Sequence, residues 1–271
     1  MYYRISEVSQ MIGIPIDTIR YYEKVGIISP IRKGTYRAFS DEDIYLLCEY
    51  KKMRSYGLTL HEIKNFNHVV NMRDYAEQFA EIRDDYSRKV KYYLALQKNM
   101  ESSVELLHNI EKYVGNYQMT EVTAKYYIDF FQHKKAALEQ NNIWKSWVHE
   151  YYPLVEYIAV WDLADGESEN ITENSMWVNA ISEENVKALD IPINETVQRI
   201  SGQKALFTVV NRYGERLIDR QFAEEIRREL EARDLVLDGK VIGKMIARIK
   251  EDDNILRYIG IWIPVREKDN D

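Results

Sequence analysis

From Met72 to Val114 the chain contains neither proline nor glycine, and its apolar residues recur on a single stripe. Met72, Tyr75, Phe79, Ile82, Tyr86, Val90, Tyr93, Gln97, Met100, Val104 and Leu107 follow one another by steps of 3, 4, 3, 4, 4, 3, 4, 3, 4 and 3, a heptad pattern with one stutter near Val90. This spacing places every member on one side of a continuous helix. A single helix of that length cannot shield its own stripe from water, so a partner helix is required. The partner is either a second copy of the chain, giving a coiled-coil homodimer, or a helix of the same chain in a bundle. Gln97 either fixes the register of the pair or is tolerated within it. The stretch divides the chain into a head (1–70), a dimerisation helix (71–115) and a C-terminal domain (116–271).

The head reads as short helices and one hairpin. Residues 5–12 form a helix with Ser6 as its N-cap, and Gly13 sits where a helix end favours a left-handed residue. Pro15 is placed as the first residue of a second helix over Ile16–Val25, which stops at Gly26. Two short helices around a glycine-containing turn make a helix-turn-helix. Gly34, between basic and β-prone residues of the run 28–39, marks a small hairpin. Ser40–Asp43 and Thr59–Glu62 are capping boxes that open helices to about Ser55 and over Leu60–Val70.

Charge separates the head from the body. Residues 1–66 hold 10 Lys/Arg against 8 Asp/Glu, or +2, so the rest carries −9 of the chain's net −7. Screening confines such fields to about 8–10 Å, which leaves a mildly basic head free to meet phosphates beside an acidic body. The single cysteine, Cys48, excludes a disulfide framework within one chain and a multi-thiolate metal site, and the five histidines are scattered (61, 68, 108, 133, 149). No metal or other cofactor is expected. No apolar run is as long as a membrane span and the N-terminus is not a signal peptide, so the cytoplasm is the expected compartment. No nucleophile elbow, Walker motif or dinucleotide fingerprint is present, and an enzyme is not expected.

Beyond Gly115-Asn116 the period changes to two. Strand-like runs cover 120–130, 155–162, 175–181, 195–201, 203–210, 241–250 and 255–265, and helical runs cover 134–150, 183–189 and 216–233. The order is α+β and consistent with a duplicated β-α-β-β unit. In the last strand, alternation sets Ile255, Arg257, Ile259, Ile261 and Ile263 on one face and Tyr258, Gly260 and Trp262 on the other. The first face is expected to pack on helices. The second leaves a gap between two aromatics, a candidate pocket floor.

Four motifs carry a resemblance: Arg4–Gly13 (RISEVSQMIG), Thr18–Ile28 (TIRYYEKVGII), Tyr36–Ser40 (YRAFS) and Tyr56–Lys64 (YGLTLHEIK). In order and spacing they resemble the head of the MerR family of transcription regulators. The resemblance implies a winged helix-turn-helix that binds promoter DNA. Asp17, Thr18 and Tyr21 would then meet base edges, Arg20 and Tyr22 would hold phosphates, and Lys33, Tyr36 and Arg37 would form a wing clamp. It further implies an antiparallel pairing of the long helix with its twin, a pseudo-palindromic operator, and distortion of the promoter for RNA polymerase. Metal sensors of the family place cysteines near the end of the long helix, and residues 100–125 here have none.

Residues 118–266 resemble the GyrI-like effector domain of multidrug-responsive members, through strand order and the ending Tyr258–Val265. That implies an aromatic or lipophilic small-molecule ligand. Tyr127, Trp144, Trp147, Tyr151, Tyr152, Trp161 and Trp177 join Tyr258, Gly260 and Trp262 as candidate pocket residues, with Glu150, Glu156 or Asp162 as possible charges. Trp144, Trp147 and Tyr151 form one helical stripe, which is as compatible with core as with a pocket. Related domains often carry a glutamate near the position of Gly260, and its absence puts pairing with a cationic ligand in doubt. The other reading makes the acidic C-terminal domain a protein-interaction module without a small ligand.

Overall fold

The computed structural model describes residues 1–66, 71–129, 143–163, 175–213 and 220–268, and their contacts divide the chain into two units, Met1–Ser87 and Arg88–Asp271. In the first unit β1 (Tyr2–Tyr3), β2 (Ile31–Lys33) and β3 (Tyr36–Ser40) make a sheet of order β1-β3-β2. Around it lie α1 (Ile5–Ile12), α2 (Ile16–Lys24), α3 (Asp41–Ser55), α4 (Leu60–Phe66) and the first part of α5 (Met72–His108).

The caps locate these helices with small corrections. Arg4, not Ser6, is the N-cap of α1, because Glu7 folds back to accept the Arg4 backbone N–H at 2.6 Å. Pro15 is the N-cap of α2 rather than its first residue. Its φ of −55° with ψ of 141° is extended backbone that leads into the helix. Gly13 closes α1 at φ 68°, in the left-handed region where a side chain is strained. Ser40 and Asp43 bond reciprocally at the start of α3, and Asp43 also accepts the Ser29 N–H at 3.3 Å. Thr59 and Glu62 do the same for α4, whose expected extension over 67–70 lies outside the described residues. Val8, Ile19, Phe39, Leu47 and Ile63 form the core of this unit, and Tyr75, Phe79 and Ile82 of α5 pack against it.

The long helix holds every position of the stripe but ends before the expected boundary at 115. It breaks at Asn109, and a single turn, α6 (Ile110–Tyr113), follows before Gly115 at φ 68°.

In the second unit, β4 (Gln118–Val122), β5 (Lys125–Asp129), β6 (Glu156–Trp161), β7 (Ser175–Ser182), β8 (Gln198–Ile200), β9 (Gln203–Tyr213), β11 (Val241–Glu251) and β12 (Asn254–Glu267) form one antiparallel sheet of order β4-β9-β12-β11-β6-β7-β5-β8. A short β10 (Leu235–Leu237), absent from the sequence reading, pairs with β12. Helices α7 (Ile143–Glu150), α8 (Glu183–Ala188) and α9 (Arg220–Ala232) complete it. The expected strand 120–130 is two strands, and the parts of the expected helices at 134–142 and 216–219 lie outside the described residues.

This sheet has to curl. Thr123 and Ala124 alone join β4 to β5, although the order puts those strands near opposite edges. In a flat sheet they would stand about 29 Å apart at ordinary strand spacing, yet the chain between Val122 and Lys125 spans at most about 11 Å. Ser201-Gly202 likewise joins β8 to β9. The two crossings touch, since a Cβ on Gly202 would lie 3.1 Å from the Ala124 nitrogen and 3.2 Å from the Val122 oxygen. One face therefore closes on itself. Val122, Tyr127, Ile158, Val160, Val178, Ala180, Ala205 and Ile242 form a single cluster across both halves of the sheet on this inner face. The outer face carries two separate clusters. One packs Phe222, Ile226 and Leu230 of α9 against Ile259, Ile261 and Ile263, and the other packs Trp147 of α7 against Ile128 and Ile181.

Candidate DNA interface and ligand face

On α2 the residues at spacings of 3, 4 and 7 from Asp17 share one fate: Asp17, Arg20, Tyr21 and Lys24 are all exposed. Ile19 and Tyr22 turn the other way, and Thr18 is half-buried between the faces. Arg20 reaches back to Asp17 at 3.2 Å, a pair in open solvent that is easily exchanged. Tyr22 is only 6 % exposed and packs its ring 6.0 Å from that of Tyr50. Its ring belongs to the core, so the expected phosphate contact is left to its hydroxyl. Lys24 is the residue the sequence reading passed over, although the same helical period reaches it from Asp17.

The wing is held by aromatic and ionic contacts. The Lys33 Nζ stands 3.7 Å above the Tyr2 ring, and the Arg4 guanidinium lies 5.2 Å from the Tyr36 ring centre. Arg37 donates through Nε to both carboxylate oxygens of Glu23, at 2.8 and 2.6 Å. Glu23 is on α2, so this pair ties the wing to that helix while the terminal NH2 groups of Arg37 are not the atoms bonded.

In the second unit the aromatics expected to line one pocket divide between opposite faces of the sheet. Tyr127, Tyr258, Gly260 and Trp262 lie on the inner face. Trp161 and Trp177 lie on the outer face, together with Trp144, Trp147 and Tyr151 of the α7 segment. Trp147 is fully buried and Trp161 is 2 % exposed. Trp161 covers Gly243, where any Cβ would collide with its ring. Trp144 donates to Asn179 at 2.7 Å, and Trp177 stacks on Tyr157 at 5.0 Å. Trp147 and Trp161 belong to the core, and Trp144, Tyr151 and Trp177 are half-buried against it. Nor is there an open gap at Gly260: a Cβ there would lie 2.9 Å from Ile246 Cδ1, 3.0 Å from Trp262 Cη2 and 3.1 Å from Phe207 Cε2. Phe207, whose ring lies tilted against that of Trp262 at 4.7 Å and meets Tyr113 edge-on at 5.1 Å, is an inner-face aromatic that the sequence reading missed.

The inner face also carries an ion cluster. Glu156 of β6 accepts from Lys125 of β5 at 2.7 Å and from Lys244 of β11 at 2.5 Å. Burial alone would raise its pKa, but the charges and hydrogen bonds of Lys125 and Lys244 outweigh that and hold it at about 2. Of the other carboxylates set out from sequence, Glu150 lies at the end of α7 and Asp162 just past β6.

Comparison with known proteins places the head. The profile of the MerR HTH family regulatory protein matches residues 3–67. The mercuric resistance operon regulatory protein of Bacillus cereus is 35% identical over 104 residues, 37% of this chain and 74% of that protein. The chain belongs to the MerR family. The HTH-type transcriptional regulator HmrR of Rhizobium leguminosarum bv. viciae is 29% identical over 116 residues, 40% of this chain and 88% of HmrR. Among solved structures, the EcmrR–DNA complex aligns over 98% of this chain and 100% of its own at 17% identity and a TM-score of 0.35. HiNmlR, a MerR family regulator lacking the sensor domain and bound to promoter DNA, aligns over 41% of this chain and 94% of its own at 18% identity and a TM-score of 0.33.

Both MerR-family relatives end well short of this chain, so the large curled sheet has no counterpart within those sequence matches. Among the described residues no group of His, Cys, Asp and Glu is arranged to hold a metal ion, and no helix is long and apolar enough to cross a membrane.

Proposed function

We propose that this MerR-family chain is a cytoplasmic, ligand-responsive transcription regulator that binds a pseudo-palindromic promoter as a homodimer and distorts it for RNA polymerase. The observation that carries the reading is the α2 stripe of Asp17, Arg20, Tyr21 and Lys24, coupled to the wing through Arg37 and Glu23. Asp17, Thr18 and Tyr21 read base edges, and Arg20, Lys33, Tyr36 and Arg37 hold phosphates, with the Tyr22 hydroxyl at the margin. Deforming the promoter costs several kcal/mol, on the general estimate for bent sites, and the added backbone contacts offset it.

Dimerisation runs through the second part of α5 as an antiparallel coiled coil. Tyr86, Val90, Tyr93, Met100, Val104 and Leu107 are all exposed in the single chain, and Tyr93, Met100 and Val104 line an apolar groove of about 670 Å³. The 71–115 segment is thus a dimerisation element of the assembled protein. The C-terminal domain is GyrI-like and binds a lipophilic small molecule on the inner face. Its two halves, β5-α7-β6-β7 and β9-α9-β11-β12, each run first, third, second strand from the outside inward, the order a duplicated β-α-β-β unit would give.

A footprint on the protein's own upstream region, with light scattering for stoichiometry, tests the first part. Protection of two half-sites by a dimer is expected, and a monomer or an unprotected duplex overturns it. Trp fluorescence titrated with a broad panel of lipophilic dyes tests the second part, with Trp262→Ala expected to weaken the response. A panel that changes neither fluorescence nor promoter activity removes the sensor.

A further inference from the structure

At the open end of the inner face the second unit holds a cavity of about 780 Å³, within the size range of small-molecule sites. Val122 belongs both to its lining and to the inner-face cluster, so the cavity is continuous with that face. Its apolar wall is Val122, Ala124, Leu154 and, from α5, Ala95. Its innermost charges are Lys125 and Glu156, with Lys244 behind them.

The charges on this wall do not balance. Glu156, Lys125 and Lys244 are 14, 18 and 32 % exposed, and one carboxylate faces two ammonium groups. The cluster therefore holds one surplus positive charge where solvent access is limited, a state that an anion relieves. Each ammonium has three donors, and the bond described for each is to Glu156. Elsewhere on the rim Lys98 pairs with Glu184 and Lys187 with Glu183, which also receives Arg199 from outside the lining, but the cations of these pairs are 46–73 % exposed and water screens them. Glu121 is exposed and Lys204 stands 4.0 Å from Glu267 at the surface, where screening weakens both. Glu156 is already saturated by its lysines and offers a cation little.

We infer that this cavity is a ligand site selective for lipophilic molecules bearing one carboxylate, which Lys125 receives at the cavity wall while Lys244, bonded to Glu156 behind that wall, supplies the surplus charge. The inference rests on the small-molecule reading above and narrows it to a charge class. It also gives the ligand a route to the dimer. Ala95, Lys98 and Ser102 of α5 line the cavity, while Tyr93, Gln97, Met100 and Val104 lie along the same turns on the stripe that faces the second copy.

Calorimetry of the full chain with 4-phenylbutyrate, its amide and 4-phenylbutylammonium separates charge from shape. The carboxylate should bind at least about tenfold tighter than the amide, as charge-assisted hydrogen bonds allow, with the ammonium weakest. Lys244→Met should bring the carboxylate to the affinity of the amide and leave the amide unchanged. Lys125→Met, on a different strand, should do the same, and it carries the test if the first variant melts below the assay temperature. Equal or tighter binding of the amide or the ammonium, or no binding of 4-phenylbutyrate, overturns the inference. Failure of the dye panel as well is needed before the sensor reading falls with it.

Discussion

Arg37 and Glu23 join the wing to α2 through one ion pair. The Nε of Arg37 is fixed to α2, and on the proposed DNA-binding reading this sets the distance between wing and helix before DNA arrives. Lys33→Ala and Arg37→Ala should each weaken binding to every duplex alike and lower the salt slope by about one, which salt-titrated affinity measurements will read. A slope unchanged in both variants removes the clamp. Glu156 is the corresponding residue of the second unit. Its pKa in the folded chain is lowered from the ordinary 4.5 to about 2, so its contribution is fully present above pH 4.5 and is lost as pH falls toward 2. That window corresponds to a contribution on the order of 3 kcal/mol. Glu156→Gln should therefore lower the melting temperature at neutral pH and flatten its acid dependence between about pH 5 and 3. Identical acid dependence in the variant refutes the assignment. The exposure of Asp17 and Tyr21 on one side of α2 and the place of Arg37 in the hairpin were legible because motif and helical period fix them locally. Glu156, Lys125 and Lys244 were not, because their meeting depends on strand register across widely separated segments, which no local pattern carries.

Elements were legible to the extent that their ends are chemical. Ser40–Asp43 and Thr59–Glu62 located two helix starts, because a capping box needs those residue types at that spacing. The break at Asn109 was not legible, since the stretch without proline or glycine runs on to Val114, and tertiary contacts of α6 decide the matter. Nor was the partition of the aromatics between faces. Trp144, Trp147 and Tyr151 make a helical stripe that is equally good as core, and packing against Ile128 and Ile181 settles it. In α5 one heptad pattern serves two ends. Tyr75, Phe79 and Ile82 are used within the chain, and the continuation from Tyr86 to Leu107 is exposed, the stretch on which we propose a second copy pairs. Val104→Glu on that continuation should give a monomer by light scattering with helicity retained. Phe79→Ala should instead destabilise the head, by less than the roughly 3–5 kcal/mol of a fully buried aromatic because Phe79 is half-buried. A Val104→Glu protein that remains dimeric assigns the stripe to another role.

At the scale of the molecule, valency governs affinity for DNA. The head carries only +2 and the remainder −9, so long-range attraction to DNA is modest and a single head holds few phosphates. Two heads on one dimer change the arithmetic, because once the first is bound the second meets its half-site at an effective concentration of about millimolar. The gain is typically 10²–10⁴ without any new contact. The monomer made by Val104→Glu should therefore lose about a hundredfold or more in affinity for a complete two-fold site. Its affinity for an isolated half-site should match that of a wild-type head, and its salt slope on the full site should fall to about half, since half the phosphates are engaged. Fluorescence anisotropy on full-site and half-site duplexes over a range of salt measures all three quantities. A monomer that binds the full site as tightly as the dimer would place recognition in a single head, and the apolar stripe of α5 would then require an explanation unrelated to DNA.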